Sequence, residues 1–118
     1  MRVKGEAEIK ALKTVPREKA FYFFTSIGNY TGESASSLKE FMEKIKEVDI
    51  KSLEFHLYRR DFEKWISEVL EDSALAEEIG KLRMANLTGD DLRKQLHAVV
   101  ARELKRLSSS TDPMHEKR

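Results

Sequence analysis

From Ser37 to Leu107 the apolar residues recur at helical spacing in a series of short segments. Most of these segments open on a residue suited to cap a helix. This pattern constrains the fold more than any other feature, because each segment must bury its stripe against its neighbours. Ser37 and Glu40 have the spacing of a capping box ahead of Leu38, Phe41, Met42, Ile45 and Val48. Asp49 opens a short segment carrying Ile50, Leu53 and Leu57. Asp61 follows with no Gly or Pro between, placed to accept from the amides of a helix that buries Phe62, Trp65, Ile66 and Val69. Asp72 or Ser73 caps another, with Leu75, Ile79 and Leu82 inward. Thr88 with Asp91 resembles a capping box and opens the longest segment, whose stripe is Leu92, Leu96, Val99, Val100, Leu104 and Leu107. Asp90 and Asp91 at its start, and Arg102, Lys105 and Arg106 near its end, complement the helix dipole.

The stretch before Ser37 reads differently. Pro16 suits a first helical position, and Ala20, Phe23, Phe24 and Ile27 share a helical face that ends at Gly28. This predicts a sixth helix, with a strand through Ala20–Phe24 as its competitor because aromatics favour sheets. Asn29–Ser36 is rich in turn formers and reads as a loop. Residues 1–13 read as an N-terminal arm and 108–118, polar and carrying Pro113, as a disordered tail. The expected fold is all-α, an irregular or orthogonal bundle of about six short helices over residues 14–107.

At 118 residues the chain makes one domain. With 22 Lys and Arg against 21 Asp and Glu, it lacks the surplus of cations that general nucleic-acid binding needs. No run approaches the length of a membrane span, and no signal peptide is visible. A cytoplasmic protein that binds neither nucleic acid nor membrane is expected. The absence of Cys excludes disulfides, thiolate zinc sites and thiol catalysis. Two Asn and one Gln beside 15 Glu and 13 Lys match the habit of thermophile proteins.

Three groups of residues invite a chemical reading. In the first, His56 and Arg59 are spaced to share a helical face, with Arg60, Asp61 and Trp65 close by. The arginines could hold a phosphate or carboxylate and Trp65 could stack a sugar or base. The same letters also read as cations at a helix end, a cap and a core tryptophan. The second group is the Gly28–Gly32 loop with Asn29, Tyr30 and Thr31, which could cradle an anion on free amides. No P-loop pattern is present, and two turn glycines explain the spacing equally. In the third, Glu103 falls inside the last stripe, with His97 at its border. A carboxylate there must be paired with Arg or Lys, lie at an edge, or act as an acid of raised pKa. Three His without a ligand motif predict no metal and no cofactor, and no GxSxG elbow is present. A helix-turn-helix over Leu75–Leu96 would meet DNA with Asp90 and Asp91, the wrong charge.

The phrases AFYFFTSIGNYTG at Ala20–Gly32, Ala35–Leu38 running into VDIKSLEFHL at Val48–Leu57, and DFEKWI at Asp61–Ile66 occur in order. Together they resemble a small archaeal and bacterial helical family of unknown function, found alone or beside carbohydrate-active enzymes such as glycosyltransferases. The resemblance spans residues 14–107 and implies no catalytic residues. The expected function is a non-catalytic helical module that binds a partner protein or itself, accessory to carbohydrate metabolism. The alternative is a sensor or enzyme for an anion or sugar phosphate, with a pocket around His56, Arg59 and the Asn29–Ser36 loop.

Overall fold

The computed structural model describes residues 11–109. Most of the expected N-terminal arm and C-terminal tail therefore lies outside the described residues. A single 3-10 turn at Arg17–Lys19 leads into an antiparallel hairpin, β1 (Phe21–Ser26) and β2 (Asn29–Ala35). Five helices follow: α1 (Leu38–Glu47), α2 (Ile50–Tyr58), α3 (Asp61–Glu68), α4 (Ser73–Met84) and α5 (Gly89–Ser109). The fold is a mixture of helix and sheet, and the all-α expectation is wrong at one place. The predicted helix after Pro16 is β1, and the predicted Asn29–Ser36 loop is β2.

The reason is the period of burial. Phe21 and Phe23 are buried, while Tyr22 and Phe24, which alternate with them, are only half-buried, as a strand with one face on the core requires. Ile27, which completed the supposed helical face, is 81% exposed. Pro16 fixes only the 3-10 turn. Ile27 and Gly28 form the hairpin turn, with Gly28 at φ +79°. The pairing Tyr22↔Ser34 then Phe24↔Tyr30 leaves two extra residues on β2. Gly32, at φ +90°, absorbs part of that bulge. The Thr31 hydroxyl braces it, donating to Phe23 O at 2.8 Å and accepting from Glu33 N at 3.0 Å.

The inner face of the hairpin enters an aromatic core shared by α1 and α3. Phe21 packs against Phe41, Phe62 and Trp65, with ring centroids 5.9, 5.1 and 5.6 Å away. α1 covers β2 and α2 covers β1, while α5 runs against α1, α2 and α4. Three expected caps are present: Ser37 Oγ accepts from Glu40 N, Asp49 Oδ1 from Lys51 N and Asp72 Oδ1 from Leu75 N. Glu40 returns its bond to Ser36 N, one residue earlier than the standard box. Arg93 of α5 donates through Nη1 to the carbonyls of Ile45, Lys46 and Val48, closing the C-terminal end of α1. Glu54 of α2 accepts from Gly89 N at the start of α5. No helix among the described residues is long and apolar enough to cross a membrane.

Candidate functional site

The α2–α3 junction turns without Gly or Pro because Arg60 adopts the left-handed conformation, φ +68°, at the N-cap of α3. This sharp joint puts Asp61 beside the last turn of α2. Asp61 is therefore not the expected cap of α3. Its Oδ2 lies 2.8 Å from His56 Nδ1 and accepts from Arg59 Nε at 3.1 Å.

His56 Nε2 accepts from the backbone N–H of Phe24 at 2.9 Å. A backbone amide can only donate, so the ring proton resides on Nδ1 and is given to Asp61. Both ring nitrogens are thus occupied within the protein. Only 4% of His56 is exposed, and the rings of Phe21, Phe55 and Phe62 pack around it at 4.8, 5.0 and 5.7 Å. Burial holds its pKa below the ordinary imidazole value, with Asp61 opposing.

Next to this ring a cleft of about 350 Å³ opens between the hairpin and the end of α2. Tyr22, Phe24, Ile27 and Phe55 are among the residues that wall it, and His56, Arg59 and Asp61 line its polar side. The Arg59 guanidinium lies over the Phe55 ring, 5.0 Å from its centroid.

The structure gathers only some of the residues singled out from sequence. His56 and Arg59 share the cleft. Arg60 lines a separate, charged depression with Arg59, Glu63 and Lys64. Trp65 is a core residue whose Nε1 donates to Lys19 O at 2.7 Å, though its edge reaches a third, small hollow. Asn29 ties the turn by donating to Thr25 Oγ1 at 2.6 Å, and Thr31 braces the bulge. Tyr30 is 47% exposed and packs on Phe24 and Tyr22 at 5.3 and 5.9 Å, on the outer face of the hairpin. The segment Asn29–Ser36 does not line the cleft, so its residues are brought to the hairpin and not to His56.

The cleft walls Tyr22, Phe24 and Phe55 escaped the sequence reading. Their spacing matches core stripes, and only strand alternation at residues 21–24 could have marked Tyr22 and Phe24 as outward-facing.

A second polar cluster joins the α3–α4 connection to α5. Glu103 is clasped by Arg106 of its own helix, through bonds of 2.8 and 2.9 Å. Glu103 also neighbours Asp72, which is almost fully buried and whose Oδ2 accepts no hydrogen bond among the described residues. Two carboxylates can bond only if one keeps its proton. Burial, and then contact with Glu103, push the Asp72 carboxyl up to about 6. Burial works against the Glu103 anion, yet Arg106 and the Asp72 proton hold its carboxyl below the usual range. His97 is half-buried on α5. Among the described residues no group of three or more His, Asp or Glu could hold a metal ion.

No curated protein and no solved structure matches the chain. A family model does match, over residues 16–117, and the chain belongs to that family, a family of unknown function (DUF5752).

Proposed function

We propose that the chain is a non-catalytic protein-interaction module that docks a partner protein, or a second copy of itself, through the outer face of its hairpin. The observation that carries this reading is the engagement of both His56 nitrogens, at 2.8 and 2.9 Å, inside the fold. A general base needs a free nitrogen within reach of substrate, and this imidazole offers none. Beside it, Ile27, Tyr30, Tyr22 and Phe24 form an apolar patch on the hairpin, the kind of surface that marks interfaces. The resemblance of three phrases to a family found beside glycosyltransferases supports an enzyme of carbohydrate metabolism as the partner.

The test is an Ile27→Asp variant. Ile27 is 81% exposed, so this change is expected to move stability by no more than about 0.5 kcal/mol. Wild-type protein is expected to self-associate in light scattering, or to retain a carbohydrate enzyme on an affinity column, and I27D to do neither. A wild type that stays monomeric and retains nothing that I27D loses refutes the module.

A small-ligand reading keeps one observation in its favour, the cleft that His56 and Arg59 both line.

A further inference from the structure

The cleft beside His56 has a chemistry more specific than apolarity. Its walls are aromatic and aliphatic side chains, and Arg59 is the cation on its lining. Arg59 is held in place twice, by its Nε bond to Asp61 at 3.1 Å and by its stacking on Phe55. Its two terminal amino groups hold no partner among the described residues. Asp61, which also lines the cleft, pairs with Arg59 through Nε alone, so the cleft offers an anion the two terminal amino groups and not a net positive charge. A pre-positioned guanidinium with free amino groups fits a carboxylate, which it can grip through two parallel bonds.

The volume, about 350 Å³, lies at the lower end of ligand pockets and suits one large side chain rather than an extended molecule. Strand addition is blocked at this point, because the outward amide of Phe24 is taken by His56. Recognition must therefore pass through side chains. We infer that the cleft receives a segment of a partner protein in which a large apolar side chain adjoins a carboxylate, the apolar group entering between Phe24 and Phe55 and the carboxylate meeting Arg59. This inference rests on the interaction-module reading and adds the chemistry of the docked segment.

Three probes separate its parts in amide NMR of the full chain at neutral pH. N-acetyl-phenylalanine carries ring and carboxylate, N-acetyl-phenylalaninamide the ring alone, and N-acetylglycine the carboxylate alone. The first is expected to shift the amides of Phe24, Ile27, Gly28, Phe55 and Arg59 in a saturable way. It should bind about tenfold more tightly than the amide, the effect of one charge-assisted contact. N-acetylglycine should not saturate. Arg59→Gln should bring the two ring probes to equal affinity. Should R59Q fail to fold, the wild-type comparison of acid with amide decides alone. Equal binding of the two ring probes by the wild type, shifts elsewhere in the chain, or no saturable response up to the solubility limit would overturn the inference. A wild type that retains its partner and loses it in I27D, yet shows no preference for the acid probe, overturns this chemistry and leaves the module standing.

Discussion

The imidazole of His56 accepts the backbone N–H of Phe24 at 2.9 Å, so a helix side chain closes the outer edge of the first strand. An isolated two-stranded hairpin is marginal in water. Here the hairpin is held by Phe21 and Phe23 in the core and by this bond at its edge. The opposite nitrogen ties the same ring to Asp61, so one residue links β1, α2 and α3.

Replacing His56 with Ala should leave the Phe24 amide without its acceptor and Asp61 without one of its two donors. We expect a loss of about 2–4 kcal/mol, read by denaturant unfolding. A loss below about 0.5 kcal/mol, within the range of surface changes, would contradict the linking role.

The pH dependence of the same residue has a definite sign. The folded protein binds the His56 proton less readily than the unfolded chain, because burial lowers its pKa from 6.5. Protonation also turns Nε2 into a donor facing the Phe24 donor. Its contribution is therefore complete above about pH 6.5 and is lost as pH falls through the folded pKa. Stability profiles of wild type and His56→Gln should differ most in slope below that pH, and parallel profiles would refute the assignment.

Asp72 has the opposite sign. Its carboxyl, normally near 3.8, titrates at about 6 in the fold, so the folded state holds a proton that the unfolded chain has released. Stability then falls as pH rises through the window from about 4 to 6. Asp72→Asn keeps the oxygen that caps Leu75 N and offers Glu103 an amide proton at every pH. Thermal melts at pH 8 should show the variant more stable by about 1–2 kcal/mol, after discounting for partial solvation. The gain should vanish near pH 4. A variant less stable than wild type at pH 8 would show that Asp72 and Glu103 do not share a proton.

Thr31→Val removes the hydroxyl that bonds both Phe23 O and Glu33 N. The expected cost is about 1–2 kcal/mol, measured by chemical unfolding. An unchanged midpoint would mean that the bulge stands without its brace.

Arg60→Asn should raise stability by about 0.5–1 kcal/mol, since Asn tolerates the left-handed conformation that Arg60 is forced to adopt. A loss of stability on calorimetry would show that the Arg60 side chain makes a contact worth more than the strain.

Much of the helical part was legible because its signals are local. Ser37, Asp49 and Asp72 cap the helices they precede, and the stripes from Leu38 to Leu107 bury as their spacing demands. Asp61 was misread because a cap and an ion-pair partner look alike in sequence. The distinction lies in the left-handed turn at Arg60, which no Gly announced. Thr31 and Asn29 looked like ligand groups in a loop, but each hydroxyl or amide is spent on the hairpin itself.

The residues alone determined where α1, α2 and α4 begin, which faces the helices bury, and that Cys chemistry is absent, since caps and stripes act over one or two turns. They did not decide the state of Phe21–Phe24, a run whose apolar letters suit period two and period 3.6 alike. Tertiary structure settled it, because the rings of Phe41, Phe62 and Trp65 receive Phe21 and those of Phe41 and Phe62 receive Phe23, leaving Tyr22 and Phe24 outside. The meaning of His56 was decided in the same way: a strand amide 32 positions earlier in the chain and a carboxylate five positions later converge on its two nitrogens, a fact of three-dimensional contact that no spacing encodes.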